Sequence, residues 1–269
     1  MAYTTLLYAV HDRTAVITLN RPERMNAVIE AMYRDISDVL ARIDADRGLR
    51  CLILTGTVRE KDGKRRQIFC AGADLKEHGA GTRTLEQKES YLRLAHDTCR
   101  KIFACPLPTL AVVNGAARGA GAEMALCCDF MLMADDATLA FPETGLGTCI
   151  GGGSSSHLVR LLGLARAKEL VYTGRVVTGI EAAAMGLAYR SVPVDKLMDE
   201  ALSFAGNLAT KAPRSMAHAK RLLHQSEHRD IAEVLEAETR AIVDCMKTED
   251  WHEGVRAFAE KRPPVYKGQ

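Results

Sequence analysis

The chain's patterning predicts an α/β fold with parallel strand pairing, followed by an all-helical C-terminal region. Two observations carry this prediction. Up to about residue 194, short β-branched apolar runs alternate with stretches of helical hydrophobic spacing, and from about Asp195 the strand signals stop. The natural partition is a core over residues 1–194 and a helical appendage over 195–269, in a chain of 269 residues that is long enough to bury a large core.

Thr14–Leu19 and Leu49–Thr55 read as buried strands, being short, apolar and rich in β-branched residues. Between them Val28, Ile29, Met32, Ile36, Val39, Leu40 and Ile43 recur at helical spacing, so the unit is strand, amphipathic helix, strand. Asn20–Ala27 contains Pro22 and reads as the turn that starts this helix. Thr57–Gln67 is strongly basic and reads as a solvated hairpin. Thr109–Val113 is a further strand, leading through a glycine-broken turn into a helix over Gly121–Cys128. Phe130–Met133 and Leu139–Phe141 are strands, and another helix lies beyond His157. Helical blocks then follow over Leu197–Leu208, Met216–Leu223, Ile231–Met246 and Trp251–Glu260.

Composition narrows the functional class. The chain is 47% hydrophobic and 26% charged with a net charge of +2, which carries no nucleic-acid or membrane-surface signal, and no apolar run approaches a membrane span. The N-terminus lacks the pattern of a secretory signal or transit peptide, so a cytoplasmic location is expected. The eight cysteines form no Cys-x-x-Cys pair and read as free thiols in a reducing compartment, with Cys70 and Cys149 given packing roles. No metal site is expected. The eight histidines are scattered, His224 and His228 read as lying on a solvated helix face, and His157 is the one considered for substrate contact.

The chemistry concentrates between Asn114 and Gly153, where Glu123 and Glu143 lie twenty positions apart, each beside glycine-rich backbone. A helix that starts after the Gly turn would present unpartnered N–H groups from Gly119 to Ala122. Such groups can hold a carbonyl oxygen that becomes anionic. Phe69-Cys-Ala-Gly-Ala-Asp-Leu-Lys-Glu77 offers a second donor segment, in which Gly72 permits positive φ. Close turn packing is the plain alternative for both segments. For Glu123 the alternative is a helix-start charge, and for Glu143 an exposed acid at a strand end.

Five segments in order resemble the enoyl-CoA hydratase (crotonase) superfamily. They are Asn20–Ala27, Phe69–Glu77, Asn114–Glu123, Phe141-Pro-Glu-Thr-Gly-Leu-Gly147 and Phe258-Ala-Glu-Lys-Arg262. The resemblance implies a crotonase (ClpP-like) spiral of repeated ββα units whose helical C-terminal region builds trimers or dimers of trimers. It also implies an acyl-CoA substrate, coenzyme A entering as part of that substrate, and no permanently bound cofactor. The thioester oxygen would be held by the Ala73 and Ala120 amides, with Ala71 and Gly119 alongside. Glu143 would move the proton at Cα while Glu123 positions and deprotonates the water. Further implied ligand contacts are Arg24, Met25, Ala27, Asp74, Leu75 and Lys76, with Phe258 and Lys261 reaching the CoA site near a subunit interface.

The chain departs from the family pattern at Ala120, where Gly is usual, at Ile150, where typical hydratases have Pro, and at Ser155 and Ser156, where bulkier polar residues are typical. Reversible hydration of a 2-enoyl-CoA is the leading implication. Double-bond isomerisation and thioester hydrolysis on the same oxyanion hole stay open, and an RNA-binding role for Lys64–Arg66 is a third reading. A sharper reading of the basic hairpin has Arg65 or Arg66 meeting a CoA phosphate.

Overall fold

The computed structural model describes residues 3–78, 81, 83–226 and 229–269. Its larger sheet has six strands: β1 (Leu6–His11), β2 (Thr14–Leu19), β3 (Cys51–Thr55), β6 (Thr109–Val113), β8 (Phe130–Ala134) and β11 (Arg190–Val192), in that spatial order. Among the described residues, β1–β2 is the one antiparallel pair of this sheet. The smaller sheet has the order β10-β9-β7-β5-β4. Its strands are β4 (Thr57–Lys61), β5 (Lys64–Cys70), β7 (Ala116–Arg118), β9 (Thr138–Ala140) and β10 (Val177–Thr178).

The chain visits the two sheets in turn. β3 leads into β4 and β5, β6 into β7, and β8 into β9, and each visit to the small sheet is followed by a helix. The helices of these turns are α2 (Leu75–His78) with α3 (Leu85–Ala104), then α4 (Ala120–Leu126), then α5 (Ser154–Thr173). Repeated ββα units stacked through parallel pairing produce the spiral that the sequence motifs implied. β3 and β6 are buried throughout, as parallel strands covered on both faces are.

Before the spiral, α1 (Glu30–Ala45) buries Met32, Tyr33, Ile36, Val39, Leu40 and Ile43 on one stripe. This face packs on α3, which buries Tyr91, Ala95, Thr98, Cys99 and Ile102 and is started by a capping box of Thr84 and Gln87. After β10 come α6 (Gly179–Ala184) and β11. All later elements are helical: α7 (Leu197–Ala209), α8 (Pro213–Gln225), α9 (Ile231–Met246) and α10 (Glu249–Ala259). α7 covers the large sheet, whereas α9 and α10 leave Ile231, Leu235, Ile242, Met246, Trp251 and Phe258 exposed.

Three expectations change. Val28 and Ile29 belong to the chain entering α1 rather than to the helix, because Val28 pairs with Ala73. Cys149 is exposed, so it has no packing role, whereas Cys70 is buried. His224 is not on a solvated face: its ring stacks on Phe103 at 3.9 Å between centroids and its Nε2 lies 3.4 Å from Asp129. His228 lies outside the described residues. The segment 57–67 does form a hairpin, with Lys64, Arg65 and Arg66 exposed and Arg65 3.3 Å from Glu60.

Asp129 ties the helical region to the core. Its Oδ2 accepts from Thr109 N at 2.8 Å, Thr109 Oγ1 at 3.0 Å and Lys220 Nζ at 2.8 Å. Burial alone would raise this carboxyl, but hydrogen bonding to His224 and the Lys220 charge hold it below the usual aspartate range. Asp129→Ala is therefore expected to lower unfolding free energy by about 1–3 kcal/mol, since it leaves the part-buried Lys220 ammonium with the Leu107 carbonyl in place of a carboxylate. Because the folded-state pKa is depressed, this contribution is complete above about pH 4 and is lost as the pH falls through the folded value. Urea midpoints of wild type and variant would then converge in acid.

Candidate active site

Two backbone segments are stitched together first. Asn26 is fully buried and holds Met25 and itself at positive φ. Its Nδ2 donates to the carbonyls of Ile68 (3.2 Å) and Phe69 (2.9 Å), and its Oδ1 accepts from Arg21 N at 2.8 Å. Ala71 N donates to Met25 O at 3.0 Å, Val28 N to Gly72 O at 2.8 Å, and Asp74 N to Val28 O at 3.0 Å. Arg21 spans the joint, donating to the Ala27 carbonyl and approaching Asp74 at 3.5 Å. Met25 and Ala27 are thereby brought beside Ala71–Asp74, while Arg24, Leu75 and Lys76 are exposed at the rim.

In this parallel bridge Gly72 and Asp74 spend their polar groups on Val28, so the Ala73 N–H faces the other way. Among the described residues it has no backbone acceptor.

On that side lies the start of α4. Gly119 takes φ 46°, ψ −120°, and its carbonyl accepts the first helical bond from Glu123 N at 2.9 Å, which leaves the Ala120 amide without an intrahelical acceptor. The two donor segments touch through glycines. A β-carbon on Gly72 (φ 92°) would stand 2.8 Å from Arg118 O and 3.8 Å from Ala120 N, and one on Gly121 would stand 2.6 Å from both Cβ and O of Cys70. Ala73 and Ala120 thus come from distant sequence to one cleft.

Both glutamates reach this cleft. Glu123 is on the first turn of α4, and its Oε1 accepts from Gly151 N at 2.6 Å. Glu143 opens a 3-10 helix over Glu143–Leu146, is only 8% exposed, and its Oε2 has no hydrogen-bond partner among the described residues. Its Oε1 lies so close to Gly119 that a β-carbon there would meet it at 2.5 Å. The reading of Glu143 as an exposed strand-end acid is overturned by this burial.

Burial raises both carboxyl groups above the usual glutamate range. For Glu123 the Gly151 amide partly opposes the rise. For Glu143 its own backbone amide opposes it, and the Glu123 charge adds to it. Two neighbouring carboxyls that resist joint ionisation can hold a proton between them near neutrality. The arrangement can therefore polarise a carbonyl with two backbone amides and move protons at atoms beside it.

Phe258 and Lys261 are not part of this cleft within the chain. They sit at the end of α10, Phe258 88% exposed, with no hydrogen bond or ion pair to the site segments among the described residues. His157 packs on Phe103 (5.1 Å between centroids) and borders a cavity of about 630 Å³ between the core and α8. Sequence reasoning missed two neighbours of Glu123, Gly151 and His96. A β-carbon on Gly151 would stand 3.0 Å from His96 Nε2 and 3.4 Å from each Glu123 carboxylate oxygen. Among the described residues no three His, Cys, Asp or Glu side chains converge to hold a metal ion, and no helix is long and apolar enough to cross a membrane.

A buried carboxylate short of partners costs stability. Glu143→Gln is expected to raise unfolding free energy at pH 8 by about 0.5–2 kcal/mol. The folded-state pKa of Glu143 is raised, so its penalty is full above that pKa and disappears once the group is protonated in both states. Denaturation midpoints of the two proteins would differ at pH 8 and coincide below about pH 4.

Comparison with known proteins adds to the geometry. The profile of the family described as enoyl-CoA hydratase/isomerase matches residues 10–269. A putative enoyl-CoA hydratase/isomerase of Bacillus subtilis is 37% identical over 98% of both chains. A crotonyl-CoA hydratase of Syntrophomonas wolfei is 33% identical over 97% of both. The crystal structure of an enoyl-CoA hydratase from Bacillus anthracis superposes with a TM-score of 0.92 at 34% identity, covering 99% of this chain and all of that one.

Proposed function

The chain belongs to the enoyl-CoA hydratase/isomerase family, a family of enzymes that act on CoA thioesters, and on that premise we propose that it adds water reversibly across the 2,3 double bond of a 2-enoyl-CoA. The observation that carries this reading is the pair of desolvated carboxyls, the half-buried Glu123 and the buried Glu143, beside the amides of Ala73 and Ala120.

The thioester oxygen accepts from the Ala73 and Ala120 amides, which cost no reorganisation as negative charge builds on it. Glu123, ionised, takes a proton from water as the water oxygen bonds to Cβ. Glu143, protonated, delivers its proton to Cα, and the enolate collapses to the 3-hydroxyacyl thioester. In the reverse direction Glu143 is the base. Opposite protonation states in the resting pair are what the mutual repulsion of the two carboxyls favours. Gly119 matters here because any side chain would displace Glu143. In this reading CoA runs along the donor segment past Met25, Ala27, Ala71 and Asp74, with the exposed Arg24, Leu75 and Lys76 beside it.

Residues 1–194 form the catalytic core in this reading, and residues 195–269 the oligomerisation region of a homotrimer or dimer of trimers. The exposed apolar residues of α9 and α10 support that role, which would bring Phe258 and Lys261 toward a CoA site at the interface.

Crotonyl-CoA is expected to lose its conjugated enoyl absorbance on adding the protein, with the 3-hydroxy product identified by mass. Glu143→Gln and Glu123→Gln would each lower kcat by about 10²–10⁴-fold with the circular dichroism spectrum unchanged. Full activity in Glu123→Gln would instead point to a one-carboxylate reaction, isomerisation or thioester hydrolysis.

A further inference from the structure

We propose that His96 is a positioning residue for Glu123, holding through one water the carboxylate that activates the nucleophile; this rests on the hydratase reading above. His96 projects from α3, the twenty-residue helix that packs on α1, one turn before the buried Cys99, which also lies near Glu123 across Gly152. Three atoms converge on the free face of Gly151: His96 Nε2, 3.0 Å from where a β-carbon would stand, and the two Glu123 carboxylate oxygens, each 3.4 Å from it. The ring nitrogen and the carboxylate are thus near enough for a single bridging water.

The polar capacities match. Glu123 Oε1 takes the Gly151 amide, leaving unused acceptor sites on both oxygens. His96 makes no hydrogen bond or ion pair among the described residues, and it is exposed, so its ring is free to bond a cleft water. Only glycine at 151 leaves this space open. Burial pushes Glu123 toward its protonated form, whereas a base must be ionised. An N–H donor reaching the carboxylate through water favours the ionised form and fixes which oxygen faces the substrate.

Neither Gly151 nor His96 belongs to the segments that carried the family resemblance. His96 touches neither Cα nor the thioester in this arrangement. It acts on Glu123 alone, so its loss is expected in kcat rather than in substrate binding.

The experiment compares His96→Leu and His96→Gln with wild type on crotonyl-CoA. Leucine is expected to lower kcat about tenfold with KM within about threefold, and glutamine, which keeps a donor, to recover most of the loss. Unchanged kcat in His96→Leu overturns the proposal, as does a rise in KM alone, which would make His96 merely a wall of the acyl pocket. An activity-independent arm separates failure of the proposal from failure of the hydratase reading. The ring-nitrogen NMR shifts of His96, recorded at one pH, are expected to change in Glu123→Gln even if crotonyl-CoA is not turned over, and unchanged shifts overturn the proposal.

Discussion

The cleft depends on a short stretch of parallel backbone pairing between Val28 and Ala73. Val28 N donates to the Gly72 carbonyl and Val28 O accepts from Asp74 N, which leaves the Ala73 amide outside the bridge, and Asn26 holds the joint with three more bonds. Without that pairing the segment after β5 would be a free loop, and its amide would have no defined direction. Buried side-chain-to-backbone bonds of the Asn26 kind are expensive to lose, because two of them serve carbonyls of β5 and the third serves the Arg21 amide. The precision of the cleft therefore rests on Asn26, whose side chain bonds the backbone of three other residues.

Close approach of two backbones is the complementary constraint. Gly72 lies against the Arg118 carbonyl and Gly121 against Cys70, so the loop after β5 and the start of α4 meet at distances that a methyl group would prevent. Backbone amides held in this way are good electrostatic catalysts, since their dipoles are already oriented when charge develops. The spiral supplies the scaffold: β5 and β7 are parallel neighbours, and both segments leave the same end of them. The carboxyls sit at the same end because α4 follows β7 and the Glu143 turn follows β9, the next strand in that sheet.

The price of the arrangement is two desolvated carboxyls, one with an unpartnered oxygen. Desolvated carboxyls beside unpaired backbone amides cost stability, and that cost is what the hydratase reading proposed above accounts for. His96 and Gly151 lie beside Glu123, and the Gly119 turn lies against Glu143.

Patterning alone determined much of this protein. The buried strands β2, β3, β6 and β8 were legible because parallel strands covered on both faces are continuously apolar, and α7 to α10 because their stripes follow helical spacing. The short β7 was not, since three residues inside a glycine turn carry no period, and half-exposed β1 has little apolar content facing inward. α3 escaped notice despite its Thr84–Gln87 capping box, because its sparse apolar stripe lies among charges, and with it went the placement of His96. The glutamates, glycines and donor segments were readable as types of residue, with the family resemblance assigning their parts. Only tertiary structure decided that Glu143 is buried, that Ala73 and Ala120 share a cleft, and that His96 stands beside Glu123. These facts depend on distances between chain segments far apart in sequence, and local periodicity holds no information about which distant backbones approach.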